Sequence, residues 1–148
     1  MKTRLYILNP NFVQKLLHLD EQKLKKISNA VCNFALERNN IKAPLVLRGL
    51  EFLKGTTLDD RASLKIQLEN LLAKLDDIQW NLHEQVDLGT ESTENYILAF
   101  CNARAVNALL YALDEDPYVA AAESIYEANA ATNNLQALED VINKALLE

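Results

Sequence analysis

Asn102, Arg104 and Asn107 interrupt the most apolar stretch of this 148-residue chain, ILAFCNARAVNALLYAL over residues 97–113, and Tyr111 and Asp114 close it. Arg104, Asn107, Tyr111 and Asp114 follow one another at intervals of three, four and three, which places them on one face of a helix as a polar seam along an apolar rod. A guanidinium in such a position needs a carboxylate partner, because an uncompensated buried charge is costly. Two readings follow. The seam is an internal ion-pair and hydrogen-bond network to an acidic residue of a neighbouring helix, or Arg104, Asn107 and Tyr111 line a pocket for a small anionic ligand.

A second constellation surrounds the end of that stretch: Asp114, Glu115, Asp116, Tyr118, Glu123, Tyr126 and Glu127. Tyrosine supplies contact area and carboxylates supply steering, so acids interleaved with tyrosines at a helix–helix turn suit the docking of a basic protein. The same residues also fit an ordinary solvated acidic face.

Other chemistry finds little support. Neither His18 nor His83 has a glutamate three residues earlier, those positions holding Lys15 and Trp80, so a carboxylate-bridged di-iron site is not expected. Two isolated histidines and two isolated cysteines share no zinc-ligand spacing. Cys32 and Cys101 both lie in apolar helical surroundings, where a thiol is usually inert. Without a glycine-rich phosphate loop or any catalytic signature, no cofactor or metal is expected, and a non-enzymatic protein is the natural reading.

Composition sets the frame. Apolar residues make up 49% of the chain and charged residues 24%, values of an ordered globular protein, and the length suits a single domain, 1–148, with its own core. The net charge of −6 conceals a strong asymmetry, since residues 1–74 hold 13 Lys/Arg against 7 Asp/Glu and residues 75–148 hold 2 against 14. The acidic balance argues against nucleic acid, and the segregation is either a fold closing basic helices on acidic ones or an acidic surface kept for a basic partner. Lys2 and Arg4 precede only four consecutive apolar residues, Leu5 to Leu8, too few for an export signal. The 97–113 stretch is short for a membrane span and carries Arg104 near its middle. A cytoplasmic protein with no membrane partner is therefore expected.

Few glycines and prolines, no long β-branched runs and abundant leucine and alanine predict an all-α fold: a bundle of about six to seven antiparallel helices around a buried central helix, residues 97–113. A short strand or extended arm is expected at Leu5 to Leu8. Pro10 then opens a short helix, and Asp20 caps the next, whose apolar face is Leu24, Ile27, Val31 and Phe34. Pro44 starts a helix ending at Gly55 that should be largely buried, with Leu45, Val46, Leu47, Leu50, Phe52 and Leu53 inside. Thr57 is the expected cap of a long helix carrying Leu64, Leu68, Leu71, Leu75, Ile78 and Leu82 at alternating spacings of four and three. Three heptads in a compact chain suit a bundle better than an intermolecular zipper. Asp116 followed by Pro117 is the sharpest helix start in the chain, and Asn133 with Gln136 suggests the start of the last helix.

With Phe34-Ala-Leu-Glu37-Arg38, Leu47-Arg48-x-Leu50, Asp77-x-x-Trp80 and Ala103-Arg104-Ala105, the chain from Asp20 to about Ala131 resembles the YjaG-like family of bacterial helical proteins. The resemblance implies a helical bundle and no assigned activity. By size and charge the chain is also similar in type to immunity proteins that neutralise toxins. The expected function is thus a protein-binding module with an acidic C-terminal surface, an immunity-type inhibitor of a basic toxin being one form. The alternative is a small anionic-ligand binder or an enzyme centred on Arg104.

Overall fold

The computed structural model describes residues 3–147, which form eight helices and no strand. They are α1 (Leu5–Leu8), α2 (Pro10–Leu17), α3 (Glu21–Arg38), α4 (Pro44–Lys54), α5 (Arg61–Asp87), α6 (Thr93–Ala112), α7 (Pro117–Thr132) and α8 (Leu135–Leu147). The chain is a single all-α bundle, as its composition predicts.

Local chemistry sets most boundaries. Asp20 accepts a hydrogen bond from the Lys23 backbone N–H at 2.8 Å, and Asp116 accepts from those of Tyr118 and Val119 at 2.9 and 3.3 Å. Each side chain thereby satisfies N–H groups that the first turn of a helix leaves without intrahelical partners. Proline occupies the opening turn of α2, α4 and α7, where its missing N–H costs nothing. Gly55 ends α4 at φ +74°, a left-handed conformation in which a Cβ would be strained.

Three boundaries differ from expectation. Leu5 to Leu8 is one helical turn and no strand: Leu5 is fully buried, and the Tyr6 and Ile7 amides bond back to the carbonyls of Thr3 and Arg4 at 3.2 and 3.1 Å. Asp60, not Thr57, caps α5: the Asp60 carboxylate, immediately before Arg61, accepts from the Ser63 amide at 3.0 Å, while Thr57 lies three residues too early and donates its hydroxyl to Asp59. Asn133 closes α7 in the left-handed region at φ +48°, leaving Asn134 to accept from the Ala137 amide at the start of α8.

The core centres on α6, which packs against α3, α4, α5 and α7, while α8 closes against α3 and α7. Ala105, Ala108 and Ala112 of α6 and Ala120, Ala121 and Ala128 of α7 are all buried, and such small side chains let two helix backbones approach closely. The central helix is nevertheless buried only from Ala103 onward. Ile97 and Leu98 remain 50% and 61% exposed, because α3 and α7 end before reaching them. Asn39, just past α3, donates to the Ala131 carbonyl near the end of α7 at 3.2 Å, so both helices stop at one level. The α5–α6 hairpin runs on alone.

The α5 stripe follows the same gradient. Leu64 and Leu68 are buried, Leu71, Leu75 and Leu82 partly so, and Ile78 is half exposed. In α4, Val46 and Leu50 are buried but Leu47 is exposed, since an eleven-residue helix on the bundle surface cannot bury residues around its whole circumference.

Gly49 is fixed by packing. A Cβ there would lie 2.8 Å from Cδ2 of Leu109, which is fully buried in α6 and has little room to move. Gly49→Ala should destabilise the protein by about 1–3 kcal/mol of overpacking, partly offset by about 1 kcal/mol of helix propensity. In urea unfolding, the double variant with Leu109→Ala should lose less than the two single losses combined, because the new methyl enters the cavity left by the leucine.

Candidate functional site

The polar seam of α6 turns inward onto α7. Glu127, 1% exposed, receives the Asn107 side-chain amide at 2.8 Å and Arg104 Nη1 at 3.3 Å to both carboxylate oxygens. On the other side of Arg104, Nη2 meets Asp76 of α5 at 3.1 Å. Arg104 Nε is buried without a protein acceptor.

A second guanidinium, which no periodic pattern links to this site, reaches the same carboxylate from the N-terminus. Arg4 Nη2 lies 2.9 Å from Glu127, its Nε donates to Glu123 at 2.7 Å, and its backbone N–H donates to Glu123 at 3.2 Å. The Arg4 guanidinium sits 4.3 Å from the Tyr126 ring centre and 5.1 Å from that of Tyr111, within cation–π range. Burial alone would lower the Arg4 pKa, but the two carboxylates more than compensate and hold it above the ordinary arginine value.

These contacts place every member of the anionic-ligand set. Arg104 and Asn107 are bonded to Glu127, and Tyr111 lies beneath Arg4. Two guanidiniums face the three carboxylates of Asp76, Glu123 and Glu127, leaving the cluster with one net negative charge and no surplus attraction for an anion.

The seven residues of the acid–tyrosine cluster do not share one surface. Glu123 and Glu127 are buried in the ion pairs just described, with Tyr126 half-buried beside them under Arg4. Asp114 is half-buried and accepts from the Asp116 amide, and Tyr118 packs against the core. Glu115 and Asp116 stay exposed at the α6–α7 turn. The spacing of three to four residues that joins Glu123 and Glu127 to one helix face was visible in the sequence; which way that face points was not.

The hairpin tip presents an apolar surface that sequence reasoning did not select. Along α5, Asp76, Trp80, His83 and Asp87 are separated by four, three and four residues and share one face. Trp80 is 58% exposed, with its ring centre 5.8 Å from that of His83 in an edge-on contact. His83 meets Tyr96 of α6 at 5.1 Å, Tyr96 meets Phe100 at 6.3 Å, and the Arg104 guanidinium lies 5.8 Å from the Phe100 ring. An aromatic series therefore links the tip to the ion cluster.

A separate open cleft of about 620 Å³ lies where α3, α4 and α5 meet the α6–α7 turn. Lys25, Lys54 and Arg61 on its walls are matched by Glu21, Asp114 and Glu115, so its charge selects no ligand class. Among the described residues, no three His, Cys, Asp or Glu side chains converge in a metal-binding arrangement, and no helix is long and apolar enough to cross a membrane. Compared with protein-family models, characterised proteins and solved structures, the chain matches none.

Removing a partner from the ion cluster should be costly in proportion to burial. Glu127→Ala removes the most buried carboxylate, leaving the Asn107 amide unpaired and each guanidinium with one carboxylate, and should lower stability in urea by about 3–5 kcal/mol, whereas Arg4→Ala, which leaves Glu127 paired with Arg104 and Glu123 bonded only to the backbone amide at position 4, should cost less, about 1–3 kcal/mol. The thiols give an independent check on packing. Burial raises the pKa of Cys101 and raises that of Cys32 far more, so both hold less reactive thiolate near pH 8 than an ordinary cysteine. With a disulfide reagent under native conditions, Cys101 should label more slowly than free cysteine, and Cys32 only at the rate at which the protein unfolds.

Proposed function

We propose that this protein is a non-enzymatic binding module that docks a basic protein partner on the acidic surface of its second half. The observation that carries the reading is what remains after internal pairing. Asp76, Glu123 and Glu127 are occupied by Arg104 and Arg4, while Asp77, Glu84, Asp87, Glu94, Glu115 and Asp116 all face outward. Residues 75–148 contain only two cationic residues, Arg104 and Lys144, to offset them. Along the α5–α6 hairpin, where neither lysine nor arginine lies between Leu75 and Ala103, this leaves a one-signed surface that speeds encounter with a positively charged partner and disfavours acidic ones, whereas Glu115 at the α6–α7 turn shares its cleft with Lys25, Lys54 and Arg61.

Inhibition of a basic toxin is one form this reading takes. The resemblance to the YjaG-like family read from short motifs has no family-model match behind it and implies no activity, so the proposal rests on the surface alone. The anionic-ligand alternative is weakened by the negative balance around Arg104.

Co-purification followed by identification and titration of the partner tests the proposal. A partner of basic isoelectric point is expected, with affinity falling steeply between about 50 and 200 mM salt as charges are screened. Asp77→Lys together with Glu84→Lys should slow association about tenfold or more at low salt while leaving stability nearly unchanged. An acidic partner, or an affinity indifferent to salt and to charge reversal, overturns it.

A further inference from the structure

The exposed apolar tip of the α5–α6 hairpin has a defined position in the bundle. Glu127 pairs with Arg104, and α7 ends five residues later at Thr132, while α6 continues seven residues from Arg104 to Ile97 in the opposite direction. The row of α6 residues that α7 and α3 bury, Ala112, Ala108 or Leu109, and Ala105, emerges through half-buried Cys101 to exposed Leu98. Ile97 and Leu98 thus lie just past the end of α7, where one more length of helix would continue the packing. Trp80 and Ile78 of α5 and Leu88 in the following loop add large exposed apolar side chains to the same projecting unit.

Charge restricts what can cover this surface. From Leu75 to Ala103 there are six carboxylates, Asp76, Asp77, Glu84, Asp87, Glu91 and Glu94, and neither lysine nor arginine. Only Asp76 is neutralised by an arginine of the chain. A second copy would bring the same acidic rim against this one, and an anionic lipid surface would be repelled likewise. An extended peptide has no sheet edge to pair with, because the described residues form no strand. What remains is an apolar face flanked by positive charge.

The geometry points to the hairpin tip bearing Trp80, Ile97 and Leu98 as the docking site for a cationic amphipathic helix of the partner protein, its apolar face laid on the exposed ends of α5 and α6 and its lysines or arginines meeting the carboxylate rim. This deepens the proposed function and rests on the reading that the partner is basic. The contact is helix against helix, with apolar anchors at intervals of three and four residues.

Three synthetic peptides of about eighteen residues, long enough for a helix with one continuous apolar face, test the site: a leucine–lysine amphipathic helix, a scramble of the same composition, and its leucine–glutamate counterpart. Trp80 is the only tryptophan, so its fluorescence reports directly on the tip. The leucine–lysine helix should bind and shift Trp80 emission to the blue, and the other two should not. Ile97→Asp and Leu98→Asp, both at exposed positions, should weaken binding by at least about tenfold, with Leu98→Ser as a milder variant and circular dichroism verifying the fold. Glu51→Lys with Glu69→Lys, both exposed and away from the tip, should change it little.

Equal binding of the scrambled peptide, or binding untouched by the Ile97 and Leu98 variants, overturns the tip as the site while leaving a basic partner in place. Concentration-dependent dimerisation that protects Trp80 from quenching overturns it in favour of a second copy. Failure of the leucine–lysine helix to bind, alongside an identified basic partner that binds elsewhere, refutes the inference alone; failure of any basic partner to bind refutes the proposed function as well.

Discussion

A carboxylate that is 99% buried must be compensated, and the Glu127 side chain organises much of this bundle through that requirement. It draws Arg104 and Asn107 of α6 onto α7, and Arg104 in turn holds Asp76 of α5. From the far end of the sequence it captures Arg4, whose backbone amide is also fixed by Glu123. Three helices, α5, α6 and α7, and the N-terminal segment that leads into α1 are thereby tied to one side chain. Such a cluster adds little net stability relative to an apolar core of the same shape, but it penalises arrangements in which any one partner is displaced. Helices rich in alanine and leucine can slide past one another at small cost, and a buried ion pair fixes their register.

The same cluster explains how the charge asymmetry is divided. Two readings of the basic first half and acidic second half stood open: a fold closing on itself, and an acidic surface directed outward. Both are present in different residues. Arg4 against Glu123 and Glu127 closes the basic half on the acidic half. That closure uses only a small part of the acidic excess: the carboxylates of the α6–α7 turn share a cleft with Lys25, Lys54 and Arg61, while those of the α5–α6 hairpin project beyond the basic helices. Electrostatic self-repulsion along the hairpin is tolerated because these side chains are solvated and screened.

Much of the fold was legible because its determinants are local. Asp20, Asp116 and the prolines at 10, 44 and 117 act within one turn of their own positions, and helix periodicity reports burial wherever a neighbour exists to provide it. The misreadings of burial have one physical origin. Ile97, Leu98 and Ile78 continue rows that are buried elsewhere in the same helices, and a sequence does not reveal where the opposing helix stops. The fate of Glu123 and Glu127 likewise depended on Arg4, more than a hundred residues away, with no periodic pattern linking them. Thr57 lost the capping position to Asp60 by three residues, a local choice between two competent side chains.

The projecting hairpin is the part of the molecule that stability alone does not account for. A 27-residue α5 is roughly 40 Å long against about 24 Å for the 16-residue α7, so its last turns lie beyond the core they would otherwise help to bury. Ending both helices earlier would remove Trp80, Ile97 and Leu98 from water and discard a like-charged acidic rim, each a gain for the isolated chain. The extension instead retains its apolar side chains, supported from beneath by the aromatic series from Trp80 through His83 and Tyr96 to Phe100, which rests against Arg104. The ion cluster anchors the base of the hairpin and the aromatic series stiffens its stem. A surface held in shape in this way has its ordering cost largely met before a partner arrives, which is the condition under which a small exposed apolar patch binds strongly enough to matter.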